Sequence, residues 1–589
     1  MPKRRRYYRR KKNPKQQRNS VDRISNLPIE IIREIHFRLP RIDAVKTSIL
    51  SKKWQSIWAS HPRIFLDEID FGADYSRYSV ADKPKRDSFL TYLIKSLEIR
   101  QKPSEYNCDV DKLCLRMTVE NSPAELLVNK WISFALENSI KRLCLSLKTI
   151  NRDHYYLCGF AFCAHTLVHL IISDCEITNC SFKLPALKVL FLFVVCIEDD
   201  DFKDLIAGCP LIEQLRIQDT KKLRTIVVSN PNLEFFGVHL LCSDGKIRVE
   251  SPNLHSIEFI SFSIDMCEVE IASTTTVREL TLRDAYDPET LIHFIEKFPL
   301  LEKLIIDGYS DLCEVEITSK PTVRSLTLCN INDEDLTLFD WDGDDLKMTW
   351  MNFIDNFPLL EKLIIDTCSR LQKLHISQPN LVSLVLKDSI VKWEARINSP
   401  KLKSFEYKGG LTDFTGIEDL QELEFVLLYL DPLKLRDYYY SWFRDMLESC
   451  ARSKHLSLIC DIEEVVLIPV EVTDILPVND ITNLELEIIS RHGTFEGVID
   501  DFTWILPDLK TLSLTLGSTT KFFQFRREED GELSAEEVHK PKPDKSVSIL
   551  RNNNKSFLNI PEIDEVGMIT GEGQDRISSL PIENIRQIL

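Results

Sequence analysis

"FPLLEKLIIDTCSRLQKLHISQPNLVSLVL", residues 357–386, states one phrase twice. "FPLLEKLII" begins at 357, "QPNLVSLVL" at 378 and "SPKLKSFEY" at 399, so the phrase returns every 21 residues. Upstream, "CPLIEQLRI" at 209, "NPNLEFFGV" at 230 and "SPNLHSIEF" at 251 keep the same interval. Leu359, Leu360, Leu363 and Ile365 supply apolar positions around a short strand, and "LQKLHI" or "LRTIVV" supplies a second apolar segment before the next copy. A coil of this size predicts two strands, one on each flank. No coil can bury its apolar edge alone, whereas stacked coils share a continuous core, which is the logic of a solenoid.

A larger unit repeats as well. "CEVEIASTTTVRELTL" at 267 and "CEVEITSKPTVRSLTL" at 313 each lead into "FPLLEKLIID", at 298 and 357, the second interval being longer by 13. The extra length falls around "LTLFDWDGDDLKMTW", beside an acidic cluster of Asp333, Glu334, Asp335, Asp340, Asp342, Asp344 and Asp345. Such a cluster can meet a cation or a basic partner, but a solvated loop is the favoured account.

Working outward, "DSFLTYLIKSLEIR" and "PAELLVNKWISFALEN" predict amphipathic helices, with "DKLCLRM" and "IKRLCLSL" as the strands that follow them. Beyond 410 the period blurs. "LRDYYYSWFRDMLESCAR" predicts a helix, and "KHLSLIC", "ITNLELEII" and "LPDLKTLSLTL" predict late strands. From 521 to 574 the composition turns polar and charged, which reads as linker.

The 589 residues exceed one compact core. Net charge is −17, yet the first eighteen residues, "MPKRRRYYRRKKNPKQQR", carry ten Lys/Arg and no acid, so the remainder sums to −27. An acidic body argues against broad nucleic-acid or anionic-membrane contact. The tail suits a nuclear-import signal and, equally, a solvated, disordered extension, with contact to RNA phosphates well behind both. The sixteen cysteines form no CxxC pair and fit reduced, buried thiols rather than a disulfide scaffold. Cys175, Cys196 and Cys329 fall beside strand ends. The longest apolar run, Val189 to Ile197, is about half a bilayer span. These features predict a soluble protein of the nucleus, the cytoplasm or both.

Residues 22–60 read as three short helices. Pro28 and Glu30 suit a first helical turn. Leu27, Ile31, Ile35 and Leu39 recur every four residues, Ile32 widens the stripe, and Pro40 stops the helix. Asp43 is an expected N-cap for "AVKTSIL", and Ser51 for "KKWQSIWAS", which places Trp54 and Trp58 on one face. About forty residues is near the lower limit for independent folding, so this unit leans on the following domain, on a partner, or on both.

"ISNLPIEIIREIHFRLPRIDAVKTSILSKKWQSIW" resembles an F-box of the plant F-box/leucine-rich-repeat (FBD-type) family. The two Leu-Pro pairs, the "VKTSILSKKW" stretch and the second Trp match in order and spacing. The resemblance departs at His36–Phe37, where the family usually has an aliphatic residue and Ser. It implies that the F-box docks a Skp-family adaptor and, through it, a cullin ubiquitin ligase. The docking positions so implied are Leu27, Pro28, Ile31, Ile32, Ile35, Leu39, Val45, Ser48, Ile49, Leu50 and Trp54.

The expected architecture is an α/β solenoid with a three-helix F-box ahead of a curved leucine-rich-repeat array. Its expected divisions are a disordered basic tail (1–21), the F-box (22–70), a helix–strand entry (71–150), the solenoid (151–410), late repeats or a C-terminal domain (411–520) and a polar linker (521–574). The end, "DRISSLPIENIRQIL" (575–589), repeats eleven of the fifteen residues of "DRISNLPIEIIREIH" (22–36) and so offers only a first F-box helix. It reads as a second copy begun and cut off.

No phosphate-binding glycine loop and no HExxH occurs. His154, His165 and His169 lie near Cys158, Cys163, Cys175 and Cys180, at spacings that fit no familiar zinc site. The expected function is a non-catalytic substrate receptor of a Skp–cullin–F-box ligase, with no cofactor or metal and an unidentified target protein. The alternative is a leucine-rich-repeat scaffold whose F-box no longer docks.

Overall fold

The computed structural model describes residues between Leu27 and Val538, with interruptions of which the longest are 332–352 and 462–477. The basic tail, the acidic insertion, most of 521–574 and the terminal F-box-like segment lie outside the described residues. The chain divides into two compact units, one through Asp153 and one from His154.

The first unit opens with three helices, α1 (Ile29–Arg38), α2 (Arg41–Thr47) and α3 (Lys52–Ala59). Strand β1 (Arg63–Asp67), helix α4 (Lys83–Arg100), strand β2 (Lys112–Val119), helix α5 (Ser122–Glu137) and strand β3 (Arg142–Thr149) follow. The three strands pair in parallel, Ile64 beside Leu113 and Leu113 beside Leu143. Parallel neighbours need crossovers, and α4 and α5 supply them. Asn121 caps α5 by accepting from Ala124 N at 3.0 Å, and Val128, Trp131 and Ile132 are fully buried. The opposite face of β2 and β3 is covered by residues 67–75. Thr118 donates through its backbone N and its hydroxyl to the buried Glu68, and the Tyr75 hydroxyl meets Ser146 Oγ at 2.7 Å. Burial raises the Glu68 pKa and the Thr118 donors oppose the shift.

The second unit is a ladder of parallel strands from His169–Ser173 to Thr511–Leu516. The 21-residue phrase appears in it as strand register: Gln214 pairs with Phe235 and Phe235 with Ser256, while Lys362 pairs with Ser383 and Ser383 with Ser404. The second apolar segments form separate three-stranded parallel sheets on the other flank, one of them Thr225–Ser229, Gly245–Glu250 and Cys267–Ile271. The architecture is an α/β solenoid of the expected kind.

Two hydrogen-bond ladders explain the phrase itself. In "NPNL", "SPNL" and "QPNL" the Asn after Pro reaches back one coil: Asn232, Asn253 and Asn380 donate to the Pro210, Pro231 and Pro358 carbonyls at 3.1, 2.7 and 3.0 Å. Those carbonyls sit where the coil turns and have no strand partner, so a side-chain amide satisfies them. The residue before Pro is buried throughout. It is apolar in Leu184, Cys209 and Phe298, and polar in Asn230, Ser251, Gln378 and Ser399, of which Asn230 donates to the Cys209 carbonyl at 3.3 Å.

The second ladder lies at strand ends, where the chain turns through a left-handed residue. Asp174, Val194, Asp219, Ser261, Asp284, Gly308, Asn330 and Thr367 all have positive φ. Each donates its N–H to the next coil, as Val194 does to the Gln218 carbonyl at 2.8 Å. Asp and Asn tolerate this conformation; β-branched Val does not. Val194→Asn is therefore expected to raise stability by about 0.5–1 kcal/mol in chemical denaturation. An unchanged or lowered midpoint would contradict the assignment of strain.

One expectation is corrected. The polar composition from 521 predicts linker, but Thr519–Arg527 folds back antiparallel on Thr511–Leu516, and Leu533–Val538 pairs with it in turn. Phe523 and Phe525 are buried while Gln524 and Arg526 are exposed. That short period-two signal was hidden among the flanking charges. The boundary expected at 520 thus falls inside a strand.

Candidate adaptor-docking site

The three-helix element is built around Ile32, Trp54 and Ile57, with Leu27, Ile29 and Ile35 packed against them. Pro28 is the extended N-cap residue rather than the first helical one, and Leu39 leaves α1 in an extended conformation ahead of Pro40. Ser51 caps α3 as expected, accepting from Trp54 N at 3.3 Å. Asp43 is not a cap: it sits in the first turn of α2 and pairs with Lys46 at 2.9 Å.

This arrangement divides the eleven implied docking residues. Ile32 and Trp54 are 0 % and 2 % exposed, so they build the element and present no surface. Leu27, Ile35, Leu39, Val45 and Ser48 are half-buried, and Pro28 is exposed. Ile31, Ile49 and Leu50 are 48 %, 56 % and 52 % exposed, an unusual load of open aliphatic surface for one short element. Ile49 and Leu50 lie in the turn between α2 and α3, where the Lys46 and Thr47 carbonyls accept their backbone N–H groups. The Lys53 ammonium donates to the Leu27 carbonyl at 2.6 Å and ties the start of α1 to α3.

Two supports were not legible beforehand. Arg100, at the end of α4, donates to the Ala59 and Trp58 carbonyls at 2.6 and 3.3 Å and lies 4.8 Å over the Trp58 ring. It thereby satisfies carbonyls at the C-terminus of α3 and anchors the element to the helix that follows. Burial lowers its pKa to about 10. No local pattern marks a contact across 41 residues.

The second is His36, which is 3 % exposed and bonds through Nε2 to the Ala44 carbonyl at 3.2 Å, tying α1 to α2. A carbonyl only accepts, so Nε2 carries the proton; Nδ1 is buried without a hydrogen-bond partner. Beside it, Phe37 is exposed and packs on His61, ring centroids 4.7 Å apart. Burial, then the neighbouring His61, lowers the His36 pKa to about 4, against the bond to Ala44. The unfolded chain therefore binds more protons between the usual histidine range and pH 4, and folding weakens as pH falls through that window. About 2 kcal/mol is lost to this group by pH 5. His36→Leu is expected to remove that loss, so the variant gains on the wild type from pH 7 to pH 5 in thermal unfolding. A constant difference across the range would refute it.

Residues 24–66 match the F-box domain family, and residues 128–274 match the leucine-rich repeats of the FBD-associated F-box protein At5g56370. An FBD-associated F-box protein of Arabidopsis thaliana is 26 % identical over 40 % of this chain and 52 % of its own. F-box/LRR-repeat protein 13 of the same plant is 28 % identical over 34 % and 42 %, and an F-box/FBD/LRR-repeat protein is 26 % identical over 49 % and 60 %. The chain spans about half the length of the curated relatives it matches. Among solved structures, that of a TLR13–ssRNA13 complex aligns over 70 % of this chain and 59 % of its own, at TM-score 0.34 and 14 % identity. Along the chain the F-box match precedes the match to FBD-associated leucine-rich repeats.

Proposed function

We propose that this protein is the target-recognition subunit of a Skp–cullin–F-box ubiquitin ligase. The observation that carries the reading is the exposed aliphatic set Ile31, Ile49 and Leu50, held by a buried Ile32–Trp54–Ile57 core on an element that matches the F-box family. Open aliphatic surface on so small an element has a physical reason if a partner covers it. The partner of that surface is a Skp-family adaptor, which links the chain to a cullin. The parallel ladder of the second unit presents one outward side-chain row after another at a fixed spacing, a surface suited to holding a protein segment. In this reading the chain binds, and ubiquitin transfer is done by other subunits.

The test is co-purification of the full chain with a Skp-family adaptor and cullin. Stoichiometric capture supports the assignment. A chain that folds and captures no adaptor would instead be a leucine-rich-repeat scaffold with a degenerate F-box.

A further inference from the structure

The packing of α1 gives meaning to the differences between the two copies of its sequence. "DRISSLPIENIRQIL", residues 575–589, lies outside the described residues, but its counterpart "DRISNLPIEIIREIH", residues 22–36, runs into α1, whose contacts are described. Four positions differ: Ser579 stands for Asn26, Asn584 for Ile31, Gln587 for Glu34 and Leu589 for His36.

Leu27, Ile29, Ile32 and Ile35 are the residues of this stretch that pack with Trp54 and Ile57 of α3. All four recur unchanged, as Leu580, Ile582, Ile585 and Ile588. Lys53 meets Leu27 through a backbone carbonyl, a contact that any residue in that place offers. Leu589 brings an apolar side chain to the place of His36, whose buried Nδ1 has no hydrogen-bond partner, and gives up the bond to the Ala44 carbonyl. The other two differences within the helix fall on its open side, where Ile31 is 48 % exposed and Glu34 is exposed as well. The terminal segment thus shares the face that α1 turns to α3 and lacks the aliphatic residue that α1 leaves open.

We infer that residues 580–588 compete with α1 for its place on Trp54 and Ile57, and that the exchanged element, with Asn584 in the place of Ile31, docks the adaptor more weakly. The consequence for docking rests on the adaptor reading; the exchange itself does not. Exchange of like for like replaces one set of apolar contacts by the same set, so it costs little free energy. A lone helix of about ten residues is marginal in water, so the segment becomes helical on α3 rather than before it. The occupant is the chain's own segment: the 41 residues between Val538 and Leu580 reach up to about 140 Å when extended. Adaptor binding selects the form that carries Ile31, so adaptor and terminal segment oppose each other. An α1-seated fraction of about one third lowers the apparent adaptor affinity about threefold.

The test uses the full chain and three variants of its terminal segment: Ile585→Asp with Ile588→Asp, Asn584→Ile, and removal of residues 575–589. Hydrogen exchange reads the seat without the adaptor. The expected result is protection of the 580–588 amides in the wild type, lost in the double aspartate variant, and stronger protection of α1 once 575–589 is removed. Adaptor affinity is expected to rise about threefold in the double aspartate variant and on removal. Asn584→Ile is expected to raise it as well while leaving 580–588 protected. Unprotected 580–588 amides, or affinity indifferent to all three changes, would overturn the inference. Affinity that falls on removal would make the segment a further dock instead, and a dimer that becomes monomeric on removal would place it on a second copy; either result overturns the inference as stated. Adaptor captured with 580–588 unprotected sinks this inference alone. Protection of 580–588 with no adaptor captured by any variant sinks the adaptor reading and leaves the exchange standing.

Discussion

Replacing Ile49 and Leu50 together with glutamate is expected to abolish adaptor capture while the protein stays folded. Both side chains are more than half exposed, so neither contributes much to the fold. Buried against an adaptor they become anchors, each worth about 2 kcal/mol, and the pair about a thousandfold in affinity. Glutamate adds the cost of placing charge in an apolar contact. Trp54→Ala is the informative contrast. Trp54 is 2 % exposed inside the Ile32–Ile57 core, so the truncation costs about 3–5 kcal/mol of folding and loses capture by unfolding the element. Circular dichroism and proteolysis separate the two routes. If the double glutamate variant binds the adaptor with unchanged affinity, the docking face lies elsewhere and the function proposed here loses its main support.

This contrast shows what the sequence could and could not tell. The stripe Leu27, Ile31, Ile35, Leu39 marks an amphipathic helix from its spacing alone, and Ser51 announces its cap. Spacing cannot say which side of a broad stripe faces the core. Ile31 and Ile32 are adjacent and both aliphatic, yet one is 48 % exposed and the other fully buried. That choice is made by Trp54 and Ile57 from another helix. The repeat was legible for the opposite reason. A solenoid demands the same residue at the same place in each coil, so Pro-Asn-Leu recurs because Pro carbonyls need an amide donor one coil on. Features used once leave no such trace. Arg100 at α3 and Glu258 on the ladder make long-range contacts that occur once in the chain and have no local pattern.

Glu258 carries the second large effect. It is 2 % exposed on the outward face of Ser256–Ile260. Arg216, two strands away, reaches it over Gly237, and Arg283 reaches it from the other side at 3.0 Å. Gly237 makes the crossing possible. A Cβ there would lie 3.2 Å from the Glu258 carboxylate and 3.1 Å from the Phe235 ring. Arg216 is held between Phe191 and Phe235, ring centroids 5.4 and 5.3 Å from its guanidinium carbon. Two cations therefore share one buried carboxylate. Arg283 is partly solvated and also nears Asp307 at 3.9 Å, whereas the Arg216 side chain is 11 % exposed. Glu258→Ala removes the buried carboxylate that Arg216 and Arg283 share and is expected to cost about 3–5 kcal/mol. Arg216→Leu combined with Glu258→Leu removes both charges and should recover most of that loss, since a buried pair is worth little more than apolar groups of similar size. Urea unfolding of the single and double variants decides it, and adaptor capture, housed in the other unit, should be unchanged in both. A single variant that loses less than about 1 kcal/mol, or a double variant as unstable as the single, would show that the carboxylate is not what holds Arg216 in the ladder.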